Sequence, residues 1–209
     1  KEWYEKADDE WRFYHNALYF VAQRLHDKDE TRKLLETVIP FVKKYEDENT
    51  RDQRYAWITD RLREANNFRD ANYCVSLITD PGIATYARYE VLRDQRQWDA
   101  AIQELESLEN SGNKKWVSKA LNEHARLYKD VLHDYDKAIK LFREINNPPH
   151  TLWQIQECYK RWGKLKEAWT TLSEIENSFP DDAPNAAWHK AAYLDEAGER
   201  ILRGEENRI

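Results

Sequence analysis

The chain carries one short pattern four times: FRDA at 68–71, WDAA at 98–101, YDKA at 135–138 and LKEA at 165–168. Each copy has a large apolar residue, two mostly polar residues and an alanine. The four alanines, which we call the anchor alanines, are 30, 37 and 30 residues apart. Their mean spacing of about 32 residues is close to the ~34-residue period of helix–turn–helix repeats.

Apolar residues around each anchor alanine fall on one face of a helix. Those four and seven positions after the anchors are Val75, Leu105, Phe142 and Leu172, and Ile78, Leu108, Ile145 and Ile175. Nine positions before three anchors are Leu62, Leu92 and Tyr159. Tyr128 lies ten positions before its anchor, so we expect one inserted residue in that turn.

Helix-breaking residues separate the four units: DPG at 80–82, NSGN at 110–113, NPP at 147–149 and FPDD at 179–182. Proline lacks the backbone donor and glycine relaxes the backbone, so both interrupt helices. Between the breakers there is room for two helices of about 12 residues and a short turn. The short anchor side chain would let the two antiparallel helices of a pair approach closely.

The two ends are less regular than the middle. Residues 3–27 are predicted to form a long aromatic-rich helix, which includes Trp3 and Trp11, and residues 29–45 its partner, with Leu34 in place of the anchor alanine. Residues 184–203 are predicted to form a final helix. We expect one continuous domain of about five to six helix pairs, with a degenerate pair or cap at 1–49, four repeats at 50–182 and a capping helix at 183–209.

Segment 152–180 carries the fullest set of repeat positions: Leu152, Ile155, Gln156, Tyr159, Gly163, Leu165, Ala168, Leu172, Ile175 and Pro180. With these residues the chain resembles the tetratricopeptide repeat family, although Gln156 stands where the family has a small residue. The other units resemble it mainly in their second helix. The resemblance implies an all-α, right-handed superhelical solenoid of antiparallel helix pairs with no catalytic chemistry. Sel1-like and pentatricopeptide repeats are the near alternatives.

Composition and charge exclude several classes of function. The 209 residues carry a net charge of -6, and no run approaches the roughly 18 apolar residues that span a membrane. An acidic chain lacks the basic surplus typical of nucleic-acid binders, so the sequence argues against a nucleic-acid partner. Cys74 and Cys158 match no paired spacing and are expected to be buried free thiols. The chain starts at Lys1 and has no Met, so we expect a processed or trimmed product, either cytoplasmic or exported.

The sequence shows no catalytic or metal-binding motif. Phosphate-binding glycine loops, zinc-protease and nucleophile-elbow motifs are all missing, and the six histidines have no metal-ligand spacing. We therefore expect no enzyme activity, no cofactor and no metal. Two alternatives stay open: an RNA-binding helical repeat, and a helical-repeat enzyme whose pocket no motif reveals.

Charged residues recur on the first helix of each pair, which lines the concave groove in the family. Cations stand at Arg63, Arg93, Lys129 and Lys160, with Asp60, Glu90, Arg126 and Glu157 three residues earlier. Asp60–Arg63, Glu90–Arg93 and Glu157–Lys160 are either ordinary i,i+3 pairs worth about 0.2–0.5 kcal/mol each or part of a charged groove that binds a partner segment. For the groove, the candidate partner-binding residues are Tyr86, Arg93, Asn122, Arg126, Lys129, Trp153, Glu157 and Lys160.

The pattern as a whole predicts a non-enzymatic protein–protein interaction scaffold. Such a chain would be a structural or assembly subunit of a larger complex and would bind protein partners through its groove and its aromatic ends. The sequence leaves a homo-oligomer open. Trp98, Trp162 and Trp169 fall near repeat-core positions and are predicted to be packing residues rather than docking residues.

Overall fold

A computed structural model describes residues 28–45 and 47–202, and this part of the chain is all-α, with no strand. The predictions for residues 3–27, including Trp3 and Trp11, lie outside it. The helices are α1 Lys28–Tyr45, α2 Glu48–Glu64, α3 Phe68–Val75, α4 Pro81–Asp94, α5 Trp98–Glu109, α6 Lys114–Leu127, α7 Tyr135–Ile145, α8 His150–Arg161, α9 Leu165–Ser178 and α10 Ala183–Leu202. None of these described helices combines the length and apolar character needed to cross a bilayer.

The anchor pattern marks the start of the second helix in every pair. Helices α3, α5, α7 and α9 begin at Phe68, Trp98, Tyr135 and Leu165, which are the large residues of the pattern. All four anchor alanines are fully buried, as the pattern predicts. The residues four positions after the anchors are also buried: Val75, Leu105, Phe142 and Leu172.

Three of the turns that precede these helices share one geometry. Asn66, Arg96 and Gly163 lie five residues before their anchors and adopt left-handed backbone conformations, with φ of 57°, 59° and 78°. The next backbone N–H in each turn bonds back to Leu62, Leu92 or Tyr159 at 2.8–2.9 Å. This six-to-one bond is the Schellman motif, which satisfies carbonyls at the end of the first helix.

The fourth turn contains the extra residue that the sequence predicts. The chain forms a π-helical segment over Tyr128–Leu132, and the N–H of Asp134 bonds to the carbonyl of Tyr128 at 3.0 Å. A π-helical turn accommodates one additional residue without ending the helix. His133 then takes the left-handed conformation, five residues before its anchor as in the other turns.

The described helices group into two compact units that divide between Trp116 and Val117. In the first unit, α2 contacts both α3 and α4, and α4 contacts α5. The buried carboxylate of Asp52 on α2 accepts hydrogen bonds from the backbone N–H groups of Thr79 at 3.0 Å and Asp80 at 2.7 Å. Asp80 in turn caps α4 through the N–H of Ile83. These bonds fix where α4 begins relative to α2.

In the second unit, α8 contacts α7 and α9, and α9 contacts α10. Gln156 on α8 is buried, and its amide donates a hydrogen bond to the hydroxyl of Tyr193 on α10, which is also buried. The long side chain of Gln156 therefore reaches from α8 to α10. The predicted final helix is confirmed as α10.

One prediction about tryptophan is wrong. Trp162 is 39% exposed rather than packed in a core, because it follows α8 directly and lies at the edge of the turn. The ammonium of Lys164 lies 3.4 Å from the centre of its ring. Trp169, by contrast, packs against the core of the second unit.

Candidate functional site

The predicted partner-binding residues form two separate groups, and all but Lys129 lie on first helices. Tyr86 and Arg93 are on α4, in the first unit. The second unit holds the other six: Asn122, Arg126, Lys129, Trp153, Glu157 and Lys160. Since the two units are compact bodies of their own, each group is described by itself.

The two candidate residues on α4, Tyr86 and Arg93, both contact aromatic rings. Tyr86 is half-buried, with its ring centre 5.6 Å from that of Tyr89 and 5.9 Å from that of Trp116. Arg93 donates from Nε to the carboxylate of Asp94 at 3.1 Å, and its guanidinium carbon lies 5.6 Å from the centre of the Tyr89 ring. Both side chains therefore already have partners within the first unit.

A cluster of charges beside Arg93 joins α2 to α4. Arg63 on α2 pairs with Asp60 on its own helix, which is one of the i,i+3 pairs that the sequence predicts. It also pairs with Asp94 on α4, and lies 3.8 Å from the carboxylate of Glu90. Burial acts to lower the pKa of Arg63, but these carboxylates outweigh it and raise the pKa above its usual value. The cluster therefore keeps this part of the first-helix face internally neutralised.

Lys129 is the most enclosed of the predicted residues. It lies in the π-helical turn and is 8% exposed. Its ammonium donates to the side-chain oxygen of Gln154 on α8 at 2.6 Å and lies 3.6 Å from the carboxylate of Asp130. A buried lysine needs such partners because an isolated charge is costly away from water. Lys129 therefore ties the π-helical turn to α8 rather than pointing to a free surface.

The three candidates on α8 also have partners. The indole N–H of Trp153 donates to the carboxylate of Asp182 at 2.8 Å. Glu157 accepts from Arg161 at 2.8 Å, and the ammonium of Lys160 lies 5.5 Å from the centre of the Tyr193 ring. These side chains are only half-buried, so a part of each remains open to a ligand.

Two candidates remain on α6. Asn122 is half-buried, and its amide donates to the backbone carbonyl of Ser118 at 2.9 Å. Arg126 is exposed. Arg126 on α6, and Glu157 and Lys160 on α8, give the second unit accessible groups of both charges. Such groups can form rim contacts and hydrogen bonds with a protein segment.

The described residues hold no candidate metal centre and no exposed thiol. Residues 28–45 and 47–202 hold no group of three or more His, Cys, Asp or Glu side chains that could bind a metal ion. Both cysteines are buried and free. Burial raises the pKa of each thiol to about 12, so both are uncharged and weakly nucleophilic at neutral pH.

Sequence reasoning missed the close contact between Gly82 on α4 and Trp116 on α6. Gly82 lies in the first turn of α4 with the Trp116 ring directly over it, so that a Cβ atom there would lie 2.0 Å from the indole nitrogen. A glycine directly after Pro81 is consistent with such a close approach. However, a Pro-Gly sequence predicts only the break between helices and not which side chain packs on the glycine.

Comparisons of the chain with protein-family models, with curated proteins and with solved structures give no match.

Proposed function

We propose that the chain is a non-enzymatic interaction scaffold of the tetratricopeptide type, whose helix pairs stack into a right-handed solenoid. It binds protein partners through the first-helix faces and serves as a structural or assembly subunit of a larger complex. The observation that supports this most is the equivalence of the four pairs: each second helix begins at the same pattern position, and each anchor alanine is fully buried.

The mechanism follows from rigidity. Helix pairs locked by buried alanines and Schellman turns present side chains on a preformed surface, so a partner binds with little loss of conformational entropy in the scaffold. The hydrogen bond from Trp153 to Asp182 adds to this, because it holds the half-buried indole in place before any partner arrives. Exposed groups such as Arg126 supply the selectivity.

The experiment compares protein capture by charge-reversed variants of the second unit. The groove variant combines Arg126→Glu and Lys160→Glu, which lie on first helices. Lys129 is left intact because a glutamate there would be a buried anion. The control combines Lys140→Glu and Lys166→Glu, which change the same charge on exposed positions of second helices. Circular dichroism and thermal unfolding first establish that both variants fold.

Wild-type, control and groove variants are immobilised and exposed to native extract, and bound proteins are quantified by mass spectrometry. The expected result is a defined set of proteins that the wild type and the control retain and the groove variant loses. Each such protein is then purified, and its dissociation constant for the three forms is measured by calorimetry. Equal retention by all three forms, or no protein above the bare matrix, contradicts the proposed function.

A further inference from the structure

A half-open cavity of about 310 Å³ lies in the second unit between α7, α8 and α9. None of the eight predicted partner-binding residues lines it. Its walls include Phe142 and Arg143 of α7, Thr151, Leu152 and Ile155 of α8, and Glu174 of α9. Pockets for small molecules run from about 300 to 1,000 Å³, so this one lies at the lower end of that range and has room for one large side chain.

The cavity has apolar walls beside its polar ones, and these can contact an apolar group. Phe142 and Ile155 are buried core residues that face it, and Leu152 and Phe179 are half-buried beside them. An aromatic or long aliphatic side chain placed there would remove its own surface and part of that of Leu152 and Phe179 from water, which is favourable by about 25 cal/mol per Å². Thr151 adds a hydroxyl-bearing side chain to the lining.

Arg143, on the α7 wall, gives the cavity its electrostatic character. Its Nη2 donates to the hydroxyl of Tyr159 at 3.1 Å, which is a neutral partner. Within the described part of the chain, no carboxylate lies at ion-pair distance from this guanidinium. Its charge is therefore positioned but not neutralised, and a carboxylate on a ligand could still form a charge-assisted hydrogen bond with it. Glu174 provides the opposite charge on the α9 wall.

We propose that this cavity is a second partner-binding site, which takes one bulky apolar side chain of a partner peptide while an adjacent acidic residue of that peptide pairs with Arg143. The inference rests on the proposed function in that the ligand is a protein segment. It differs in place, because the first-helix residues described above do not take part.

The test titrates the full chain with four blocked dipeptide probes and follows backbone amide signals by NMR. The probes are N-acetyl-aspartyl-phenylalanine amide, its lysyl counterpart, its alanyl counterpart, and N-acetyl-aspartyl-alanine amide, which lacks the apolar side chain. Arg143→Gln removes the charge at an exposed position, and Lys166→Gln removes the same charge from an exposed position of α9 that does not line the cavity. Thr151→Leu fills the cavity from within.

The proposal predicts that the aspartyl-phenylalanine probe shifts signals of cavity residues at the lowest concentration. Arg143→Gln should lower the affinity for this probe by about two- to fivefold, which is the scale of an exposed ion pair. It should leave the affinity for the alanyl-phenylalanine probe unchanged. Lys166→Gln should change the affinity for neither of these two probes, and Thr151→Leu should abolish the binding of both.

Two results would overturn the proposal: no shift at cavity residues with any probe at 10 mM or about that concentration, or shifts that Arg143→Gln and Thr151→Leu both leave unchanged. If the probes bind here while the first-helix charge reversals leave protein capture intact, the groove proposal fails and this site stands. If the wild type captures no protein and the probes do not bind, both the groove proposal and the cavity proposal are wrong.

Discussion

Replacement of Gly82 with alanine tests how closely α4 approaches the Trp116 ring. Gly82 is buried in the first turn of α4, just after the capping residue Asp80. A Cβ atom would lie 2.0 Å from Nε1 of Trp116 and 2.5 Å from its Cδ1 and Cε2 atoms. The helix start is tied to α2 through Asp52, so the indole has to move rather than the backbone.

Two opposing effects set the size of the change. Alanine favours a helix over glycine by up to about 1 kcal/mol, less in the first turn. Displacement of a half-buried indole from Tyr86 and its neighbours costs about 1–3 kcal/mol, as overpacking does in other cores. We therefore expect a net loss of about 1–2 kcal/mol, or roughly 2–8 °C in Tm for a chain of this size.

A double-mutant cycle with Trp116→Ala isolates the contact. Urea unfolding, followed by circular dichroism, is measured for the wild type, both single variants and the double variant. In the Trp116→Ala background the obstruction is gone, so Gly82→Ala should become neutral or stabilising. The reasoning is refuted if Gly82→Ala stabilises the wild type, or if its effect is the same in both backgrounds.

Two further predictions concern polar groups. Gln156→Ala should lower the free energy of unfolding by about 0.5–1.5 kcal/mol because it removes the buried hydrogen bond that the Gln156 amide donates to Tyr193; an unchanged urea midpoint would contradict this. Burial opposes ionisation of Asp60, but hydrogen bonds from Arg63 and Arg61 outweigh it and lower the pKa of this carboxyl. The ionised form thus stabilises the fold above the unfolded pKa of about 3.9, and this contribution is lost as pH falls through the lower folded value. Asp60→Asn should therefore be less stable than the wild type at pH 7, and the difference in Tm should shrink below pH 4 or thereabouts; a constant difference would count against the ion pairs.

The helix pairs were predictable from sequence because their signals are local. A large residue, two polar residues and an alanine place one helix start and one close contact within four positions, and the structure has both at Trp98–Ala101 and at Leu165–Ala168. The longer spacing between Tyr128 and Ala138 indicated the extra residue in the same way, and the structure accommodates it in the π-helical turn. The periodic pattern does not specify a left-handed Arg96, but the turn length requires such a residue there.

The state of the candidate site was not predictable in the same way. Whether Trp153 binds a partner or is held inside the molecule depends on Asp182, which is 29 positions away and belongs to the next connection. Lys129 matched the other cations in spacing, yet the π-helical turn directs it to Gln154 on α8. A helical periodicity gives the face on which a residue lies, but not the neighbour that the next helix places over it.

The cavity between α7, α8 and α9 illustrates the same limit. Phe142 and Ile155 were predicted as packing residues, and both are buried. The space beside them exists because α7 and α9 both flank α8, which is a property of three helices together rather than of any one pattern. Arg143 carried no signal in the sequence, because its hydroxyl partner Tyr159 was assigned only a core role.

The central claim is that the recurring alanines hold the helix pairs together, and an alanine-to-leucine scan tests it most directly. Each anchor alanine is replaced singly with leucine, with Ala187→Leu as the control at an exposed position of α10. Urea unfolding should show a loss of about 1–3 kcal/mol at all four buried positions and a change within about 0.5 kcal/mol at the control. Four anchor variants as stable as the control would contradict the claim.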